Sequence, residues 1–128
     1  MLRTIGGAIA GVIIWMIAIT FLNLGLRHGW ADYAAVEKAM TFTLPMKLAR
    51  LVESAASSLL AGFAASRIDN RGWAALASGL ILLLIFIPIH IGLWDRFPIW
   101  YHLTFLASLP LLGWAGGKIR RGGYPPVG

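Results

Sequence analysis

Apolar positions in this chain come in long runs rather than in the short alternations of a soluble fold. Ile5 to Leu26 is the first run, with Asn23 its only strongly polar member. Leu44 to Ser66 is a second, interrupted by Lys47, Arg50 and Glu53. Trp73 to Trp94 is the most apolar, with an uninterrupted core from Leu80 to Ile87, and Pro98 to Gly117 is the fourth. A helix crossing the hydrocarbon core of a bilayer needs about 20 such residues. The pattern therefore predicts an all-α, polytopic membrane protein: a four-transmembrane-helix bundle with spans at 5–26, 44–66, 73–94 and 98–117. Residues 1–117 form the membrane domain, and 118–128 read as a flexible, basic Gly/Pro-rich tail. The first run exceeds the roughly 7–15 residues of a signal-peptide core and no small-residue cleavage site closes it, so it is expected to stay as a span.

The boundaries have local causes. Pro45 and Pro98 sit where first-turn prolines are tolerated, because those amides lack helical partners. Asn70 is placed to cap the third span, and Pro88 to kink it near its outer end. Between the first two spans, Asp32 to Met40 predicts a short helix along the membrane surface, with Tyr33, Val36 and Met40 on one side. Trp30, Tyr33, Trp73, Trp94, Trp100 and Tyr101 fall near span ends, as interfacial anchors do.

The second run carries the most information. At about 100° per residue, Lys47, Arg50, Glu53, Ser54, Ser57, Ser58, Ala61, Gly62 and Ala65 share one half of the helix. Leu48, Val52, Ala56, Leu59, Leu60 and Phe63 share the other. Ser54, Ser58 and Gly62 follow the spacing that lets two helix backbones approach closely, so this face is expected to pack against other helices. Gly7 and Gly11 form the same motif in the first span. They point away from Asn23, which suggests a contact with a second chain.

Composition narrows the class. Of 128 residues, 59% are hydrophobic and 12% charged, against roughly 25% charged in a soluble domain; mean hydropathy is +0.76. A soluble enzyme and a disordered protein are excluded. Cys is 0, which removes disulfides, thiol nucleophiles and metal–thiolate sites. The net charge of +6 does not form a patch for nucleic acid, since the basic residues sit mostly at the ends of the apolar runs. Arg3, Arg67, Arg71, Lys118, Arg120 and Arg121 fall at one end of the spans. Arg27, Lys38 and Arg96 fall at the other, with Lys47 and Arg50 inside the second span. This bias predicts both termini in the cytoplasm, in a bacterial-type inner membrane.

Candidate chemistry lies in the outer half of the spans. Arg50 and Glu53 are three residues apart on one face and are placed to pair. A charge so deep in a span marks a functional site unless it is structurally satisfied. Asn23, His90 and His102 occupy similar depth on the other spans, so a cluster of Asn23, Arg50, Glu53, His90 and His102 is predicted. It reads either as a static polar network or as a proton or cation relay. Two histidines and a carboxylate suit zinc, but no HxxxH or HExxH spacing is present, so no metal centre is expected. No Ser–His–Asp order, phosphate loop, cofactor motif or paired carboxylates appear, and no enzyme is expected. Two functions follow. The first is a non-enzymatic accessory or scaffold protein, acting through helix contacts with itself or a larger membrane complex. The second is a small oligomeric transporter or channel, coupled to protons or cations through Glu53 with His90 and His102.

Overall fold

The computed structural model describes residues 2–122, and within them it is all helix, with no strand. The first long apolar run forms α1 (Leu2–Gly29), and the following loop holds α2 (Ala31–Glu37). Then come α3 (Leu44–Ile68) and α4 (Trp73–Gly92), a single 3-10 turn at Trp94–Arg96, and α5 (Ile99–Gly122). Helix α5 continues through Lys118–Gly122, the first part of the segment read as tail; residues 123–128 of that segment lie outside the described residues.

Among the described residues, α1, α3 and α4 are long and apolar enough to cross a membrane. The run at 98–117, read as a fourth span, falls short of that hydropathy. The physical reason is local: α5 carries Trp100, Tyr101, His102, Pro110 and several glycines among its leucines. The distribution of side chains is nevertheless that of a protein turned inside out. Phe21 is 69% exposed and Leu84 70%, while Ser54, Ser57, Ser58, Ser66 and Ser78 are buried. Water would favour the reverse arrangement, and a lipid surround favours this one.

Helix α3 packs against α1, α4 and α5, and α4 joins α1 to α5. Close approach rests on small residues. A Cβ on Gly62 would enter the backbone of Gly113, and one on Gly116 the backbone of Leu59, so α3 and α5 touch main chain to main chain. A Cβ on Gly79 would lie 2.6 Å from Cα of Pro110, which binds α4 to α5 in the same way. Gly7 and Gly11 are also used inside the chain. Their added Cβ atoms would meet Ala74 Cβ and Ser78 Cβ, each at 2.7 Å, with Ala65 O at 2.9 Å and Ala61 O at 3.1 Å. The glycine motif expected to face a second chain is therefore occupied by α3 and α4.

The ends of the helices are tied differently from expectation. Asn70 does not cap α4; its Oδ1 accepts from Arg120 Nη1 at 2.6 Å. The chain instead enters α4 through Gly72 at φ 86°, a left-handed conformation that glycine adopts without strain. Alongside, Thr4 Oγ1 donates to Asp69 Oδ2 at 2.7 Å, and Arg71 Nε lies 3.3 Å from Asp69 Oδ1. These contacts bring the start of α1, the α3–α4 turn and the end of α5 together.

Burial alone would raise the Asp69 carboxyl, but the bonds from Thr4 and Arg71 outweigh it and hold it below its ordinary value of 3.8. A depressed carboxylate contributes stability that is present above pH 3.8 and lost as pH falls through its lowered folded value. Asp69→Ala is expected to cost about 1 kcal/mol at neutral pH, a modest figure because Arg71 is solvent-screened. The variant should also lack that component of acid destabilisation. Denaturant unfolding followed by circular dichroism at pH 7 and pH 3 checks both.

Candidate functional site

At the opposite end, Tyr33, Phe42, Met46, Phe97 and Tyr101 form a buried aromatic layer, with Leu26, Trp30, Val36 and Met40 packed on it. The short helix read from the loop sequence, α2, puts Tyr33 into this layer. Tyr33 and Tyr101, read as interfacial anchors, are buried and hydrogen-bonded, whereas Trp73, Trp94 and Trp100 are exposed.

The tyrosine hydroxyls explain the difference. Arg50 Nη1 donates to Tyr33 Oη at 2.9 Å, and Arg50 Nε donates to Tyr101 Oη at 3.1 Å. The guanidinium carbon stands 4.7 Å from the centroid of the Phe42 ring. Tyr33 Oη in turn donates to Asn23 Oδ1 at 2.7 Å, and Asn23 Nδ2 donates to Glu37 Oε2 at 2.8 Å. Arg27 closes the chain with a forked contact, Nε to Glu37 Oε1 at 2.7 Å and Nη2 to Oε2 at 3.0 Å. The Arg27 bond is the largest effect on Glu37 and, with Asn23, holds its carboxyl below the ordinary value against the opposing effect of burial. Burial pushes the Tyr33 hydroxyl up, with Arg50 opposing.

This network joins α1, α2, α3 and α5, and Tyr33 is its only member bonded to both Asn23 and Arg50. Tyr33→Phe should therefore cost about 1–3 kcal/mol, the range for removing a partner from buried polar groups. Denaturant unfolding in detergent measures it; a loss no larger than that of a surface variant such as Lys38→Ala would exclude a structural role for the network.

Arg50 and Glu53 do not form the ion pair their spacing suggested. Among the described residues the side-chain ion pairs are Arg27–Glu37 and Arg71–Asp69. Two tyrosine hydroxyls and an aromatic face match the planar fork of a guanidinium and hold it away from the carboxylate. Glu53 is only 7% exposed, and its Oε2 has no hydrogen-bond partner among the described residues. It stands on the wall of a cavity of about 390 Å³ with Asn23 and Arg27 of α1, Arg50 of α3 and Tyr101 of α5. The rest of the wall is mostly apolar, chiefly Trp15, Ile19, Phe86 and Phe105.

The histidines form a separate unit. His102 is 0% exposed and His90 is buried beside it, with Nδ1 of each ring 2.7 Å apart. His102 Nε2 lies 3.2 Å from the carbonyl oxygen of Trp94. A carbonyl only accepts, so Nε2 carries the hydrogen; in the neutral ring Nδ1 is then bare and accepts from His90 Nδ1. His102 also stacks on Trp94 at 4.6 Å, and His90 stands 4.6 Å from the Phe105 ring. Neither histidine lines the cavity. Of the five residues read as one cluster, Asn23 and Arg50 are joined through Tyr33, Glu53 shares their cavity, and the histidine pair stands behind Phe105. No group of three His, Asp or Glu among the described residues is placed to hold a metal ion.

The small-residue positions of α3 serve packing. Ser58 Oγ accepts from Trp15 Nε1 at 3.0 Å, a buried link to α1, and Gly62 meets Gly113. Ser54 is fully buried, and its Oγ has no partner among the described residues. Sequence reasoning missed Trp15, Tyr33, Glu37 and Tyr101. A signal existed for Trp15, because Trp15, Ile19 and Asn23 recur every four residues along one line of α1. Tyr33 and Tyr101 carried no comparable signal, since a tyrosine at a span end has the same sequence context whether it anchors or binds. The chain matches no protein-family model, no curated protein and no solved structure.

Proposed function

We propose that this chain is a four-span inner-membrane protein that acts as a small transporter or channel, coupled to protons or cations through Glu53. Helix α5 is the fourth span in this reading. Its 24 residues extend about 36 Å at 1.5 Å per residue, and Leu103, Leu111 and Trp114 are exposed along it. Both termini are cytoplasmic: the end where Thr4, Asp69, Arg71 and Arg120 meet also carries Arg3, Arg67 and Lys118, matching the bias of cytoplasmic loops.

The observation that carries the function is Glu53, a buried carboxylate that lines the cavity, forms no ion pair, and has one oxygen without a hydrogen-bond partner among the described residues. A polar network kept only for structure satisfies its members. The network here does so for Arg50, Asn23 and Glu37 and leaves Glu53 out. The accessory reading drew on the serine/glycine face of the second span, the Gly7–Gly11 motif and the absence of a soluble domain; Gly7, Gly11 and Gly62 are all packed within the chain. No enzymatic step is proposed.

The test is proton flux into phosphatidylcholine vesicles holding the purified chain and a pH dye, driven by a potassium potential. Wild type should acidify the lumen and Glu53→Gln should not. Wild-type vesicles no leakier than protein-free ones would reject the relay. Native mass spectrometry from mild detergent provides the complementary evidence: a homo-oligomer supports transport, whereas a stable heteromeric complex restores the accessory reading.

A further inference from the structure

The cavity wall beside Glu53 is aromatic. Trp15 and Phe86 have ring centroids 4.9 Å apart, Phe86 and Phe105 5.3 Å, and Trp15 and Phe105 6.4 Å, so three mutually packed rings stand together there. Trp15 is held by Ser58 and almost wholly buried, so the half-buried Phe86 presents most of the ring surface. Aromatic faces attract organic cations through the ring quadrupole, and a carboxylate oxygen lacking a donor attracts an N–H. A volume of about 390 Å³ lies within the range of roughly 300–1,000 Å³ found for small-molecule pockets.

Of the other charged groups on the wall, Arg27 is paired with the Glu37 carboxylate and Arg50 is held by the neutral hydroxyls of Tyr33 and Tyr101. An anion would bring its charge against Glu53, whereas a cation finds there a carboxylate that forms no ion pair among the described residues. Access is lateral, because Met16 and Thr20 of α1 line the cavity and are exposed on the outside of the helices.

We infer that the cavity is a binding site for a lipophilic primary ammonium ion, which reaches it from the bilayer, donates to the Glu53 carboxylate and sets its charged head against the aromatic wall at Phe86 and Phe105. This assignment rests on the reading of the Glu53 cavity as the working site and specifies what that site takes.

The experiment is equilibrium dialysis of radiolabelled 4-phenylbutylammonium against the full chain in phosphatidylcholine nanodiscs, corrected for empty discs, with 4-phenylbutanol and 4-phenylbutyrate alongside. The ammonium should bind tightest, and Glu53→Gln should weaken it roughly 10- to 100-fold, the worth of one charged hydrogen bond. Phe86→Leu keeps the volume apolar and removes a ring; it should weaken the ammonium severalfold and leave the alcohol unchanged. If Glu53→Gln fails to fold, judged by its helical circular dichroism, the Phe86→Leu comparison decides alone.

Equal affinity for alcohol and ammonium, or preference for the carboxylate, would overturn the ligand class while leaving the cavity as a binding site. Binding of none of the three would overturn the ligand class; proton flux abolished by Glu53→Gln would then still stand for the Glu53 reading, and its absence would remove that too.

Discussion

Gly62→Ala is expected to be the most damaging single methyl group that can be added to this protein. The new Cβ would occupy the position of the Gly113 carbonyl, and main chain cannot swing aside as a flexible side chain can. Helices α3 and α5 must then separate, which also loosens Gly116 from Leu59 on the same interface. Overpacking a core costs about 1–3 kcal/mol where side chains can adjust, so a loss of about 3 kcal/mol or more is expected here. Gly6→Ala is the matched control, since a Cβ there meets nothing within 4 Å. It should be neutral or slightly stabilising through helix propensity. Unfolding in mixed detergent micelles compares the two, and equal midpoints would refute a backbone contact between α3 and α5.

Glu53→Gln separates function from fold. Removing one partner of a satisfied buried network leaves the other orphaned and lowers stability by about 1–3 kcal/mol. Glu53 Oε2 has no such partner, and the guanidinium of Arg50 keeps its tyrosines whichever residue stands at 53. The variant should therefore unfold within about 1 kcal/mol of wild type, near the range of substitutions that break no named interaction, while losing proton flux. A glutamine amide neither binds nor releases a proton near neutral pH, so the loss should be complete rather than shifted in pH. The opposite pattern, flux retained and stability lowered, would return Glu53 to a structural role. Arg50→Met is the informative counterpart: it removes both tyrosine bonds and the contact with Phe42, so it should cost stability where Glu53→Gln does not.

Much of this was legible along the chain. Long apolar runs placed α1, α3 and α4 to within a few residues, because a lipid surround demands length and apolarity and little else. The two-faced wheel of α3 separated buried Ser54, Ser58 and Gly62 from exposed Leu48, Val52 and Leu60, since small residues are what helix backbones need to meet. A short helix in the first loop was also visible from Tyr33, Val36 and Met40. The partners of these groups were not. Spacing brought Arg50 within reach of Glu53, but tertiary structure supplied two better acceptors from residues 17 and 51 positions away. Asn70 had the chemistry of a cap and was taken by Arg120 from α5.

By itself, then, the sequence determined where the long apolar helices lie and how polar and apolar residues divide along and around them. Those are properties of one segment against its solvent, and each segment carries them whole. Tertiary structure alone decided which neighbour each polar group found: tyrosines for Arg50, Trp94 and His90 for His102, α3 and α4 for the glycines of α1, and an open cavity for Glu53. Hydrogen bonds and backbone contacts act over about 3 Å, so they depend on how helices far apart in sequence are brought side by side.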